Sequence, residues 1–311
     1  MKIQLRFYKK IETTIHSIFY ALIHYNNQIL GFARKYYGSG RNIKVVVLDS
    51  DFNITTENKD LLKGEDPRCF IHNNELYVVD NYCDDIHLIN YETKKRFKIP
   101  LSGKNFSFIS HNNQLYIIHT MRPFVLYSFD IVSKKLTKIP TNSPYQENKQ
   151  YRGGTPGYTK DNKTYYGFGH RTHNTRQGLV HDIYYWEVDF RGEYPSIYIR
   201  NIVKPKSAKQ ITDPTSIIEI NNIEYLVTAE SIHSWDRDQD YITNVYEIHY
   251  IPEHILPSPL SFIEFIINSY KSLYHRIWNM TDTLISILYV IIGMISIELI
   301  VLLINKFIPI K

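Results

Sequence analysis

Short polar segments recur along this chain, each beside a glycine or a proline. The most distinctive segment is Glu65-Asp66-Pro67-Arg68, which places two carboxyl groups, a rigid ring and a fixed cation in a row. A carboxyl group beside apolar surface can keep a proton and donate it, whereas a neighbouring guanidinium favours the ionised form. The same residues could form a turn in which Asp66 accepts backbone N–H groups. The residues alone leave both interpretations open.

Basic residues follow in later segments that contain, or directly follow, a glycine or a proline. These segments are Lys104-Asn105-Phe106, Arg122-Pro123, Arg152-Gly153-Gly154-Thr155-Pro156 and Gly169-His170-Arg171. Glycine lets the backbone approach a ligand closely, and arginine can bind an oxyanion through two parallel hydrogen bonds. If Lys104, Arg122, Arg152 and His170 converge, they suit phosphate or a sugar phosphate. Each of them alone is explained as well by a surface ion pair.

A repeated turn-and-strand unit must position these segments. Its five copies begin Tyr25-Asn26-Asn27, His72-Asn73-Asn74, His111-Asn112-Asn113, Asp161-Asn162-Lys163 and Ile220-Asn221-Asn222, and each continues into an apolar run. Asparagine tolerates the positive φ that a two-residue hairpin turn requires. The unit therefore predicts a β-hairpin.

The spacing of the hairpins predicts the architecture. Successive units are 47, 39, 49 and 60 residues apart, close to the length of a four-stranded propeller blade. Further strand-like runs between them, such as 43–49 and 183–190, supply more strands for each blade. We predict an all-β, five-bladed β-propeller over residues 1–252, with a β-sandwich as the alternative. Loops at one end of a propeller converge on its axis, so distant polar segments can meet there.

Composition limits the classes of partner. With 311 residues, 43% of them hydrophobic, the chain can bury a full core. The net charge of +5 is spread along the chain, and the basic stretch Lys204–Lys209 lacks interleaved aromatic residues, so no nucleic-acid partner is predicted. Cys69 and Cys83 are too few for a disulfide framework and lack the spacing of a zinc site, which leaves two buried thiols or one bridge. No cofactor and no metal are predicted.

The C-terminal region has the composition of a membrane anchor. Leu284–Ile304 is apolar except for two serines, one glycine, one tyrosine and Glu298, long enough to cross a bilayer core of about 30 Å. We predict a linker and amphipathic juxtamembrane helix over 253–282 and a transmembrane anchor with a short tail over 283–311; buried soluble helices are the alternative. No secretory signal is apparent, so we expect a single-pass, tail-anchored membrane protein with a cytosolic propeller.

The order of the polar motifs resembles a known family. The series running from Glu65-Asp66-Pro67-Arg68 to Gly169-His170 is similar to the five-bladed propellers of glycoside hydrolase family 130 and their glycosyltransferase-like relatives, over about residues 14–251. Many of those enzymes act on β-mannosides. The resemblance implies an inverting reaction in which Asp66 is the proton donor and phosphate attacks the anomeric carbon. It also implies that Lys104, Arg152 and His170 bind phosphate, and that Arg34 and Arg68 lie in the sugar site.

The chain departs from the family pattern at two places. Phe19-Tyr20-Ala21 stands where the family commonly has Asn-Pro-Ser, and Gly103 stands where it has an acid. From the resemblance we still predict a membrane-anchored glycoside phosphorylase or glycosyltransferase. Its substrates would be a carbohydrate with inorganic phosphate, a sugar phosphate or a nucleotide sugar. The alternative is a non-catalytic propeller that binds a glycan or a protein partner. The predicted substrate-binding residues are Arg34, Glu65, Arg68, Arg122 and Asp236.

Overall fold

Most of the described residues before position 252 lie in β-strands. The computed structural model describes residues 2–12, 17–35, 42–82, 85–176, 178–231, 241–252 and Ile297. The chain divides into two units, Met1–Ile251 and Pro252–Lys311. The predicted juxtamembrane helix 253–282 and transmembrane segment 283–311 lie outside the described residues, apart from Ile297. Within the described ranges, no helix has the length and hydrophobicity needed to cross a membrane.

The described strands of the first unit form five antiparallel sheets, which are the blades of a propeller. Blade 1 contains β2 (Ser17–Tyr25), β3 (Gln28–Lys35), β4 (Asn42–Leu48) and β5 (Ile54–Lys63). Blade 2 contains β6 (Arg68–His72), β7 (Glu75–Tyr82), β8 (Asp85–Asn90) and β9 (Arg96–Lys98). Blade 3 contains β10 (Ser107–His111), β11 (Gln114–Thr120), β12 (Val125–Asp130) and β13 (Lys135–Ile139). The predicted fold class is confirmed for this unit.

The last two blades depart from the simple order. Blade 4 contains β14 (Tyr151–Gly154), β16 (Thr164–Thr175), β17 (Gly178–Asp189) and β18 (Ser196–Asn201), with the short strand β15 (Tyr158–Thr159) paired to β16. Blade 5 contains β19 (Ile211–Ile220), β20 (Ile223–Ser231), β21 (Ile242–Ile251) and the N-terminal strand β1 (Lys2–Ile11). Because β1 pairs with β21, the start of the chain completes the last blade.

The asparagine turns have the conformation that their sequence predicts. In the turns of blades 1, 2, 3 and 5, both central asparagines have positive φ, between 48° and 64°. Each turn joins two strands in a two-residue hairpin, as in the pairing of His72 with Glu75. The copy around Asn162 differs, because it joins β15 to β16 and its turn is held by Asp161 Oδ1, which accepts hydrogen bonds from the backbone N–H groups of Lys163 and Thr164.

Hydrophobic side chains fill the space between the blades. Phe70 and Phe108, from the inner strands of blades 2 and 3, stack with ring centroids 5.1 Å apart. Hydrogen bonds also join blades 1 and 5, where Thr215 Oγ1 donates to the carbonyl of Tyr20 at 2.6 Å. Cys69 is a free, buried thiol whose pKa is raised by burial, and Cys83 lies outside the described residues. The packed blades hold the inner strands, and their polar residues, in fixed positions.

Candidate active site

Polar side chains gather where the inner strands of several blades begin. Arg68 opens β6, Arg152 is the second residue of β14, and Asp213 is the third residue of β19. Inner strands run in the same direction around a propeller axis, so their first residues share one end of the channel. Residues that are up to 145 positions apart in sequence thereby become neighbours.

Arg68 is shared between several blades at this end of the propeller. Its side chain is buried, with 1% of its surface exposed. Its Nε donates a hydrogen bond to the carbonyl of Gly154 at 2.8 Å, and its Nη1 donates to the carbonyl of Pro67 at 2.9 Å. The ring of Phe19 covers the guanidinium, with 5.6 Å from Cζ to the ring centroid. One arginine therefore contacts blades 1, 2 and 4.

Two carboxylates lie near this guanidinium. Burial lowers the pKa of Arg68, whereas the charges of Asp66 and Asp213 oppose that shift. The acids belong to blades 2 and 5, on either side of blade 1 in the ring. A buried cation needs such compensation, because an unpaired charge in the interior is costly. Arg68 is thus the common electrostatic partner of two acids that are far apart in sequence.

Asp66 is held by an ion pair between blades. Its Oδ1 accepts from Arg34 Nη1 at 2.7 Å, and the same nitrogen lies 3.0 Å from Glu65 Oε1. Asp66 has a φ of +45°, and its carbonyl accepts a hydrogen bond from Asn81 Nδ2 at 2.8 Å. The three charged side chains of Arg34, Glu65 and Asp66 are 17–19% exposed. The segment is a tight turn that presents two partly accessible carboxylates.

His170, His181 and Asp213 form a second, buried cluster. His181 Nδ1 lies 2.6 Å from Asp213 Oδ1, and His170 Nδ1 lies 3.4 Å from the same oxygen. The two imidazole rings stack with centroids 4.5 Å apart and planes 17° from parallel. The ring of His170 has 1% of its surface exposed, and neither of its nitrogens has a hydrogen-bond partner among the described residues.

The surroundings of this cluster fix its charges. Burial lowers the pKa of His170 to about 3, with His181, Arg152 and Arg68 acting in the same direction and Asp213 opposing them. His170 is therefore neutral at physiological pH. Burial alone would raise the pKa of Asp213, but the neighbouring His181, which is hydrogen-bonded to it, holds it below its usual value. The cluster consists of an ionised carboxylate beside a neutral imidazole.

Lys104 and Arg152 are exposed residues on adjacent segments. A Cβ atom on Gly153, the residue after Arg152, would lie 2.2 Å from the carbonyl oxygen of Asn105, the residue after Lys104. Only glycine allows the two backbones to come this close. Arg152 is also near enough to His170 to lower its pKa. The glycine pair noted in the sequence therefore brings the segments of both cations together beside His170.

Arg122 has a different environment. Its guanidinium lies over the rings of Tyr145 and Tyr151, with 5.0 Å and 4.9 Å from Cζ to the two centroids. The Arg122–Pro123 peptide bond is cis. These contacts place Arg122 in blade 3 packing against tyrosines, and none of them joins it to Asp66 or His170. Asp236 lies outside the described residues.

Asp213 and His181 were not among the residues predicted from the sequence. One signal for Asp213 was available, because the dipeptide Asp-Pro occurs near the start of two inner strands, as Asp66-Pro67 and as Asp213-Pro214. No local pattern marks His181, which pairs with Thr172 across β16 and β17 and so becomes a diagonal neighbour of His170. This contact depends on the register of the hairpin, which the sequence alone does not specify.

A cavity of about 310 Å³ lies further along the same inner strands, toward their hairpin ends. Its walls include Leu22, Cys69, Pro156 and Ser216, and the predicted site residues are not among its lining residues. The chemistry-bearing side chains thus lie outside this cavity, nearer the first residues of the inner strands. We place the candidate site at the charged end because the carboxyl groups and cations there can bind a polar ligand and exchange a proton with it.

The fold is shared with solved structures of other proteins. No family model and no curated protein matches this chain. A mannose phosphorylase from Leishmania mexicana, solved with phosphate, is 11% identical with a TM-score of 0.53, covering 78% of this chain and 88% of its own. An α-L-arabinofuranosidase from Podospora anserina, solved with cellotriose, is 8% identical with a TM-score of 0.55, covering 80% and 98%. A hypothetical protein from Leishmania major is 12% identical with a TM-score of 0.54, covering 78% and 90%. At these identities the likeness shows a common propeller fold.

Proposed function

We propose that this chain is a carbohydrate-active enzyme, an inverting glycoside phosphorylase or a related glycosyltransferase. One observation carries the proposal: Asp66 and His170, far apart in sequence, are both electrostatic neighbours of the buried Arg68 at one end of a five-bladed propeller. Propellers of this kind include enzymes that act on glycosides, among them the mannose phosphorylase and the arabinofuranosidase described above. β-Mannosides are the first substrates to test.

In this proposal Asp66 is the general acid. Its carboxyl group gives a proton to the glycosidic oxygen, the bond from the anomeric carbon to that oxygen breaks, and an oxygen of phosphate forms the new bond from the opposite face. The partial exposure of the carboxylate beside Arg34 makes Asp66 accessible to a substrate. Phosphate is itself an anionic nucleophile, so the reaction does not need a second carboxylate as a base.

The cations on the neighbouring segments bind phosphate in this scheme. Lys104 and Arg152 are exposed and supply positive charge, and the neutral His170 lies buried beside Arg152. Arg34 and Glu65 are close enough to Asp66 to contact the hydroxyl groups of the sugar. Arg68 is buried, so we assign it the role of holding the acids in place. Arg122 supports the segment of Arg152 through its contact with Tyr151.

We further propose that the C-terminal region anchors the propeller to a membrane. The support is the apolar run Leu284–Ile304, which has the length of a single span. A C-terminal anchor of this kind leaves the preceding domain on the cytosolic side. Protease protection of a C-terminal epitope in microsomes tests this arrangement: the epitope should be protected and the propeller digested, and the reverse pattern would refute it.

Activity should be measured on the full-length protein in mild detergent. Mannose 1-phosphate, other sugar 1-phosphates and nucleotide sugars are supplied with mono- and disaccharide acceptors, and release of phosphate or nucleotide is followed. Asp66→Asn should lower the rate by about 10²–10⁴-fold, because it removes the proton-transfer group. The matched control is Asp85→Asn, which alters an acid of the same blade paired with Lys98 at 2.7 Å and should leave the rate unchanged.

A specific observation favours the alternative of a non-catalytic propeller. Phe19 stands where the family that the motifs resemble commonly has a polar residue, and its ring is itself buried while covering Arg68. A propeller altered in this way would bind glycans or a protein partner without turnover. If the wild type and Asp66→Asn are equally inert across the donor panel while glycan-array binding persists, the enzyme proposal is rejected and the binding function stands.

A further inference from the structure

We infer that His170, His181 and Asp213 form a binding site for a divalent transition metal ion, with Zn²⁺ as the ion that fits best. These residues lie on β16, β17 and β19, so they join blade 4 to blade 5. One ligand atom from each residue lies within 4.8 Å of the other two. No metal was expected from the sequence because its two cysteines lack the spacing of a zinc site, whereas this cluster is assembled by strand register and blade closure.

The distances are close to those of a zinc site. Zinc binds histidine nitrogen and carboxylate oxygen at about 2.0–2.1 Å, which gives a ligand-to-ligand separation of about 3.3 Å in a tetrahedron. His170 Nδ1 and Asp213 Oδ1 are 3.4 Å apart. His181 Nδ1 lies closer to that oxygen, at 2.6 Å, because the two groups are hydrogen-bonded. Ligation therefore requires this pair to open by roughly 0.7 Å and one imidazole to turn out of the stack.

The ring of His170 gives independent support. It is buried, and both of its nitrogens lack a hydrogen-bond partner within the described part of the chain. Buried polar atoms are almost always satisfied, so an orphaned imidazole in the interior needs an explanation. A metal ion coordinated by Nδ1 would satisfy this buried nitrogen and so offset the free-energy cost of burying it unpaired.

The ligand set points to zinc among the common ions. Two imidazoles and one carboxylate are typical of zinc sites that keep a fourth position for water or an oxyanion. Calcium and magnesium prefer sites made of oxygen ligands. The inference goes beyond the proposed function, because a propeller that is inert toward sugars can still bind zinc through these residues.

Two arginines set the affinity of the site. Arg68 and Arg152 both act electrostatically on His170, and their positive charge opposes a cation. Arg152 is exposed, so its side chain can be replaced without opening the core. Arg152→Met should therefore tighten zinc binding, by about 3- to 10-fold for a partly screened charge. Loss of a phosphate ligand would not produce this change.

The test uses untagged full-length protein in detergent, freed of metal with a chelator. Zn²⁺ is titrated by calorimetry, and Co²⁺ by the visible absorption of the tetrahedral ion. We expect one zinc ion per chain, an increase in Tm on zinc addition, and at least about 100-fold weaker binding in His181→Gln and in Asp213→Asn. His72→Gln is the matched control, since it changes another buried histidine, paired with Ser110, and should leave zinc binding intact.

Two results would overturn the inference. One is the absence of saturable binding when zinc is equimolar with folded wild-type protein. The other is stoichiometric binding that persists in both His181→Gln and Asp213→Asn. Circular dichroism of each variant separates loss of the site from loss of the fold, and Arg152→Met gives a variant in which binding should increase. Because sugar turnover is not part of the readout, failure here leaves the proposed function to its own experiment.

Discussion

Asp66 and Asp213 occupy similar places in blades 2 and 5, but their surroundings differ. Each precedes a proline near the start of an inner strand, and each is an electrostatic neighbour of Arg68. Asp66 is partly exposed and pairs with an arginine from blade 1. Asp213 is buried against two stacked histidines from blade 4. The same dipeptide thus gives one accessible carboxylate and one enclosed carboxylate, because the neighbouring blade decides which side chains surround it.

The largest effect should come from removing the residue that the two acids share. Arg68→Met deletes the hydrogen bonds to Gly154 and Pro67 and removes the buried positive charge near Asp66 and Asp213. We expect a loss of about 3–5 kcal/mol in the free energy of unfolding. Urea denaturation followed by the fluorescence of the buried Trp186 measures it. Arg191→Met, which alters an exposed arginine paired with Asp189, is the control and should change nothing measurable; an equal response would show that Arg68 has no special role.

Replacing each of the two acids should lower the free energy of unfolding by different amounts. Asp213→Asn removes a buried, charge-assisted hydrogen bond to His181 and should cost about 2–3 kcal/mol. Asp66→Asn removes a partly exposed ion pair and should cost less than about 1 kcal/mol. Parallel urea titrations of the two variants provide the comparison. Equal losses would mean that the difference in burial between the blades has no energetic consequence.

The pH dependence of stability should arise from the buried cluster that contains His170 and Asp213. The pKa of His170 is about 3 in the folded protein, against 6.5 for a histidine free of such surroundings, so between these values the unfolded chain binds the extra proton. The stability associated with neutral His170 is therefore complete above pH 6.5 and is lost as pH falls toward 3. The depressed pKa of Asp213 adds a loss of the same sign below the usual range of a carboxyl group.

Thermal unfolding of chelator-treated protein between about pH 7 and pH 4 tests this prediction. His170→Gln should flatten the decrease in Tm, because glutamine takes up no proton in this range. His72, whose pKa is also lowered by burial, stays in both proteins and contributes equally to each. A slope that is unchanged in His170→Gln would place the pH dependence elsewhere in the molecule.

The smallest expected effect is the coupling within each ion pair. A double-mutant cycle of Arg34→Gln with Asp66→Asn should give a coupling energy of about 0.5–1 kcal/mol, as for a partly exposed pair. The matching cycle of His181→Gln with Asp213→Asn should give a larger value, because the pair is buried. If the first coupling exceeds the second, the ranking of the two regions is reversed.

The fold could be predicted from the sequence because its hairpin turns depend on the local conformation of a few residues. Positive φ at an asparagine pair is a property of a few residues, so turns such as Asn73-Asn74 and Asn112-Asn113 could be assigned from sequence. The site was only partly predictable, because burial and proximity depend on distant residues. Arg68 was expected in a sugar site, but the ring of Phe19 and the carbonyl of Gly154 enclose it. No local pattern could report that enclosure.

The strand that opens the chain has a consequence for assembly of the ring. Lys2 pairs with Ile251 and Ile11 with Thr243, so the outermost strand of the last blade precedes its partner by the length of the four other blades. Closing so long a loop carries an entropic cost that local contacts cannot offset, and it makes ring closure a late event in folding. β1 therefore stays unpaired with β21 until the blades between them have been synthesised. Until then, the edge of β21 that β1 covers in the folded blade stays open to pairing with another strand.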